Sequence, residues 1–179
     1  MNVRLATVLV LAMVSVASQA QVAFDDGQRY AWSLPDGVRK CFSSKSPVRF
    51  DVNTKLNPFY LRGDFDGDGR TDYAILVAER GTNKTGIAIC RSGSSSIEVL
   101  GPGTSLRVGT RKDGYDLKDF DWMDAWEVAS KQPLESHSEL NKFEAPPMVG
   151  EALHVIKSES ADAFVYWSGK RWIWYQLGD

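Results

Sequence analysis

Residues 63–76 read GDFDGDGRTDYAIL, and how they are read decides what kind of chain this is. Asp64, Asp66, Asp68 and Asp72 fall within nine residues, punctuated by Gly67 and Gly69, and the segment then runs directly into Tyr73-Ala74-Ile75-Leu76-Val77. Carboxylates so close together repel one another, so the pattern makes physical sense when a cation sits among them. Calcium takes about six to eight hard oxygen ligands. A short loop supplies them when alternate side chains point inward and the backbone curls round the ion. Asp64, Asp66 and Asp68 at i, i+2 and i+4 have that alternation, Gly69 permits the tight turn, the Arg70 carbonyl is placed as a backbone ligand and Asp72 closes the loop. The bland alternative is a solvated turn in which Asp and Gly serve turn chemistry alone.

The spacing matches the early positions of an EF-hand, but Ile75 stands where that loop needs a bidentate glutamate, and the segment after Asp72 is strand-like. Asp-x-Asp-x-Asp-Gly-x-x-Asp, preceded by Gly63 and followed by Tyr73-Ala74-Ile75-Leu76, resembles the calcium loop of FG-GAP and VCBS-type repeats, as in integrin α-chain propeller blades. The resemblance implies a loop joining two strands, with calcium held by Asp64, Asp66, Asp68, the Arg70 carbonyl and Asp72. The motif occurs once, so a single loop in a small exported bacterial protein is expected in place of a full propeller. An ion saturated by protein ligands leaves little room for an activated water, which makes its expected role structural.

Outward from this loop the reading is β-rich. Tyr73 to Val77 is a continuous apolar run, as in a strand buried on both faces, and Ile87 to Cys90 is a second, joined through AERGTNKTG as an antiparallel hairpin. VRFDV and FYLRGDF precede the loop, and Ile97 to Leu100 comes after the hairpin. From Arg107 to Pro147 the pattern is irregular and reads as a long surface connection. Ala152 to Lys157, Ala163 to Trp167 and Lys170 to Gln176 read as three strands, the last two turning at Ser168-Gly169. One short helix is expected around Asp26 to Leu34, ended by Pro35-Asp36-Gly37. The fold class is therefore mainly β, an antiparallel β-rich α+β domain spanning residues 21–179, with the calcium loop at 64–72.

Residues 1–20 carry Arg4, an apolar stretch from Leu5 to Ala17 and Ser18-Gln19-Ala20, the pattern of a cleaved secretory signal. A periplasmic or secreted protein, with no membrane insertion after cleavage, is the expectation. The chain has 21 basic and 23 acidic side chains, a net charge of −2, and loss of Arg4 makes it one unit more negative. That balance gives no electrostatic case for nucleic acid. Export places Cys41 and Cys90, the two cysteines, where thiols are oxidised. A bridge between them would enclose the acidic loop and stabilise the fold by about 3–4 kcal/mol; two buried free thiols are the alternative.

Other residues invite a function less sharply. Asp119, Asp121 and Asp124 form a second acidic cluster without glycines, interleaved with Trp122, Met123 and Trp126, which suggest a strand or irregular edge packed on the core. Trp172 and Trp174 share one face of a strand. Exposed, they would stack on a sugar ring or meet a protein partner; buried, they are core. His137 and His154 lie in no nucleophile or zinc motif, and no Gly-x-Ser-x-Gly is present. Asn83-Lys84-Thr85 is a formal glycosylation triplet. The expectation is a non-enzymatic, calcium-binding exported module that engages a protein or glycan partner, inhibitor or immunity-type roles included. The alternatives are a small hydrolase working through acidic residues and a structural part of a cell-surface assembly.

Overall fold

A computed structural model describes residues 34–45 (side chains to 40), 49–94, 96–104, 106–109, 114–134, 141 and 145–178. The expected signal at 1–20 and most of the helix expected at 26–34 lie outside the described residues. The apolar run after the acidic loop is β3 (Asp72–Glu79), paired antiparallel with β4 (Thr85–Cys90) in the register Tyr73↔Cys90 to Ala78↔Thr85. The turn between them uses Gly81 at φ 90° and Asn83 at φ 57°, left-handed conformations that Gly and Asn tolerate. On the other edge of β3 lie both β1 (Phe50–Val52) and β2 (Tyr60–Gly63), two halves of one broken strand. Leu76 is the pivot between them: its carbonyl accepts from Asn53 N–H at 2.8 Å and its N–H donates to Phe59 O at 2.9 Å. β5 (Glu98–Leu100) completes this first sheet beyond β4.

A second antiparallel sheet runs in the order β11-β10-β9-β8, from β8 (Ala125–Ala129), β9 (Ala152–Lys157), β10 (Ala161–Trp167) and β11 (Trp172–Gly178). The three C-terminal strands thus form as the sequence predicts, and the β10–β11 turn carries Gly169 at φ 86°. β6 (Leu106–Val108) and β7 (Tyr115–Leu117) pair antiparallel as a separate two-stranded sheet. The fold is mainly β and antiparallel, with one short helix among the described residues.

Strand periodicity explains the layers. Ala74 and Leu76 face inward, meeting Ile87 and Ile89 of β4 and Leu153, Val155, Ala163, Val165 and Trp174 of the second sheet in one buried cluster. Ile75 and Val77 face outward into a second cluster, covered by Leu34 and Val38. The outer face of the second sheet holds a third, with Phe164, Tyr166, Ile173 and Tyr175 under Met148 and the partly buried Leu134 and Ala145. Ala74 to Val77 are all fully buried, which is why the segment is apolar without alternation.

Pro35-Asp36-Gly37 opens a helix, α1 (Asp36–Lys45), that the sequence reading does not anticipate; most of the segment these residues are expected to end lies outside the described residues. Pro35 lacks only an N–H that the first turn leaves unpaired, its carbonyl accepts from Arg39 N–H at 2.9 Å, and Asp36 pairs with Arg39 one turn on. One expectation is corrected: residues 107–147 are not a surface connection throughout. They contain β7 and β8 and bury Leu117 and Phe120 in the inter-sheet core, together with Met123 and Trp126, whose packing on the core is expected. Strands this short, anchored by isolated aromatics, leave no period to detect.

Asp124 illustrates how these strands are tied. Its carboxylate accepts from Ser158 N–H and Ser158 O–H, both at 2.9 Å, and from Lys157 Nζ at 3.0 Å, so it caps the β9–β10 turn from the segment entering β8. Those bonds, led by the Ser158 backbone N–H, hold its pKa down at about 2. A depressed carboxylate pKa adds stability above the unfolded value, lost as pH falls through the folded one. Asp124→Asn is expected to lower the melting temperature at pH 7, with the gap from wild type closing between about pH 4 and pH 2. Leu76→Ala, at a fully buried site, is expected to cost about 2–5 kcal/mol in urea unfolding.

Candidate metal centre

The acidic loop bridges β2 and β3 at one end of the sandwich. Phe65 anchors it: flanked by Asp64 and Asp66, its ring is fully buried between the sheets. Such anchoring leaves the neighbouring aspartates on the other side of the backbone. Asp64 organises the turn, its Oδ1 accepting from Gly67 N–H (2.8 Å) and Asp68 N–H (3.1 Å) and its Oδ2 from Gly69 N–H (2.9 Å). Gly67 and Gly69, at φ 74° and 80°, supply the left-handed steps that aim these N–H groups inward.

Asp72, the first residue of β3, is fully buried. Its Oδ2 accepts from Phe65 N–H at 3.1 Å and its Oδ1 from Ser92 N–H at 2.7 Å, which ties the loop to the segment after β4. Burial pushes its pKa up, the Ser92 N–H opposes this, and the nearby Asp66 charge pushes the same way as burial. Carboxylate oxygens of Asp64, Asp66 and Asp72 all lie within 4.8 Å of one another. Three hard oxygen donors, one fully desolvated, are the donor chemistry a divalent cation such as calcium takes.

Asp68 stands apart from this group. Its Oδ1 accepts from Arg70 N–H at 2.8 Å and its Oδ2 from the Arg70 side chain at 2.8 Å (Nε) and 2.5 Å (Nη2), and this contact lowers the Asp68 pKa. Of the four side chains expected as ligands, the fold therefore brings three together, while the fourth is paired with the guanidinium of the residue expected to contribute a carbonyl. Charge alone, read along the sequence, does not distinguish an aspartate facing the ion from one facing its neighbour's arginine.

The groups that brace the loop from the second sheet are invisible in the motif. Glu151 N–H donates to Asp64 O at 2.8 Å, and Glu151 Oε2 accepts from Asp64 N–H at 2.7 Å. Gly150 packs so closely that an added Cβ would lie 2.2 Å from Asp64 O and 2.7 Å from Gly67 N. Val149 N–H donates to Trp167 O at 3.2 Å, and the Arg91 guanidinium, next to Ser92, lies 4.5 Å from the Trp167 ring centroid. The acidic loop is thus clasped on one flank by residues 149–151 and on the other by 91–92.

The second acidic cluster does not converge. Asp119 pairs with Lys84 Nζ at 2.6 Å, which holds its carboxyl below the usual range, Asp121 Oδ1 accepts from Thr85 N–H at 2.8 Å, and Asp124 caps its turn. Each carboxylate serves a different backbone or side-chain partner. Of the two tryptophans, for which a binding face and the core are both open in the sequence, one is core and the other is partly buried. Trp174 is buried in the inter-sheet core with Nε1–H donating to Gln176 Oε1 at 3.0 Å; Trp172 packs against that core with Nε1–H donating to Glu98 Oε2 at 2.6 Å. Wide aromatic side chains on an inward-facing strand fill the space between sheets, and their N–H groups are spent inside the protein. His154 sits between Glu127 Oε1 (3.0 Å from Nδ1) and Asp162 Oδ2 (2.7 Å from Nε2), a cross-strand tie on the outer face of the second sheet.

Cys90 is buried on β4 and carries no free thiol; the side chain of Cys41, its expected partner, lies outside the described residues. Asn83 of the glycosylation triplet is exposed in the β3–β4 turn, whereas Thr85 is buried with its Oγ1 accepting from Asn53 Nδ2 at 3.1 Å. No helix among the described residues is long and apolar enough to cross a membrane. No family model matches the sequence, and no curated protein or solved structure matches the chain.

The closeness of Gly150 to the loop backbone gives a direct check. Gly150→Ala has no flexible neighbour to displace, so it is expected to destabilise the fold by about 1–3 kcal/mol in denaturant unfolding.

Proposed function

We propose that this chain is an exported, non-enzymatic module whose acidic loop binds calcium in a structural role, in the manner of a single FG-GAP or VCBS-type loop. The observation that carries this reading is the convergence of Asp64, Asp66 and Asp72 on a point where Asp72 is fully buried. Backbone N–H groups satisfy the carboxylate lone pairs but do not neutralise the charge, and Arg70, the cation that Asp66 and Asp72 feel, is bonded to Asp68; burying a carboxylate under these terms is costly. A cation among the three would offset both the burial of Asp72 and its repulsion by Asp66. In this reading Asp64, Asp66 and Asp72 hold the ion, with the Arg70 carbonyl and Asp68 as further oxygens on the pattern of the resemblance. Arg70, paired with Asp68, competes with the ion for that carboxylate.

The ion would fix the loop, and with it the contacts between the two sheets, in the periplasm or outside the cell. A bridge between Cys41 and Cys90 belongs to the same proposal. So does a protein or glycan partner; of the two tryptophans Trp174 is buried, and Trp172, only partly buried, keeps some surface.

Calorimetric titration of residues 21–179 with calcium is expected to give saturable binding at about 0.1–1 mM, the range of extracellular modules. At calcium about tenfold above the dissociation constant the stabilisation is about 1.4 kcal/mol, read as a higher melting temperature than in chelator. Asp66→Asn is expected to weaken binding at least about tenfold while leaving the melting temperature in chelator unchanged or raised, since it removes one repelling charge. Absence of heat and of any shift at millimolar calcium would overturn the reading and leave the aspartates as a turn.

A further inference from the structure

The loop that carries the aspartates is held from outside as well as from within, because its first aspartate is bonded to Glu151 in the segment that enters β9 of the second sheet. Both backbone polar groups of Asp64 are bonded to one residue, 87 positions away: its carbonyl accepts from Glu151 N–H at 2.8 Å and its N–H donates to Glu151 Oε2 at 2.7 Å. The neighbouring residue is shaped for this contact. A Cβ on Gly63 would lie 2.8 Å from Glu151 Oε2 and 2.9 Å from the Phe65 ring, so a side chain there would have to displace the carboxylate or the buried anchor. On the other side of Glu151, Gly150 allows the two backbones to touch.

Electrostatics alone would not put a further carboxylate beside three others. Glu151 adds negative charge at a place already rich in it, and its Oε2 is occupied by a backbone N–H of the loop. That is the arrangement of a group that orients a ligand-bearing residue, of the kind whose loss weakens metal binding while the ligands remain.

We propose that Glu151 is the positioning residue of the acidic loop: by holding the Asp64 backbone it sets where the Asp64 carboxylate meets those of Asp66 and Asp72, so that ion affinity depends on the second sheet. The inference rests on the calcium reading above and deepens it. The sandwich must then be closed for the loop to be competent, and ion binding and sheet closure favour one another.

The test compares calcium affinity, by calorimetry on the processed chain, in wild type, Glu151→Gln, Glu151→Asp and Glu151→Ala, with circular dichroism confirming folding. Gln keeps an acceptor at the right reach and loses the charge; Asp keeps the charge and is one methylene too short. The expected result is near-wild-type affinity for Glu151→Gln and about tenfold or greater weakening for Glu151→Asp and Glu151→Ala. Hydrogen exchange at the Asp64 amide provides the second readout, slow in wild type and Glu151→Gln, fast in the other two, with calcium absent. Wild-type affinity in Glu151→Asp, or affinity in Glu151→Gln as weak as in Glu151→Ala, overturns the positioning role. If wild type itself binds no calcium while the exchange pattern holds, the calcium reading fails and Glu151 is a brace of the fold only.

Discussion

Everything at the acidic end of this molecule depends on a buried carboxylate at the start of its central strand. Asp72 accepts from Phe65 N–H and Ser92 N–H, and so joins the loop before β3 to the segment after β4 while the strand between them is covered on both faces. A carboxylate in that position is unfavourable unless its oxygens are satisfied and its charge is met. The backbone does the first, and a cation held with Asp64 and Asp66 is the proposed means of the second. Because β1, β2 and β4 all pair with β3, where β3 begins sets the register of the first sheet.

From that strand the two sheets close by simple alternation. Ala74 and Leu76 reach the second sheet, Ile75 and Val77 reach the covering helix, and Phe65 carries the inter-sheet core up to the acidic loop itself. The loop is therefore not an appendage. Phe65, set between its first two aspartates, is a core aromatic, and its backbone touches Gly150 across the sandwich. Glu98 plays a comparable part further along, accepting from Trp172 Nε1–H with one oxygen and from Arg91 Nη2 with the other, while Arg91 lies over Trp167. Aromatics that look like a recognition surface in the sequence are here part of the seam.

Local features are legible because local physics produces them. The run from Tyr73 to Val77 is apolar since β3 is covered on both faces, and the β3–β4 and β10–β11 turns announce themselves through Gly81, Asn83 and Gly169. The start of the helix is ambiguous because Pro-Asp-Gly is turn chemistry and helix-start chemistry alike, and only the Pro35 carbonyl accepting from Arg39 separates them. β7 escapes detection because a strand of three residues with mixed burial carries no usable period, and β8 is legible only through the core-packing aromatics around Trp126.

Residue order alone dictates a β-rich chain in which a Gly-punctuated acidic loop leads into a strand buried on both sides, since spacing, turn residues and apolarity act over a few neighbours. It has no means of assigning each aspartate a direction. That Asp72 is buried, that Asp68 turns to Arg70, that Trp174 is core and that Glu151 grips Asp64 are settled by packing one sheet on the other. Burial and hydrogen-bond partnership are set by residues far apart in the chain, and these come together only when the sandwich closes.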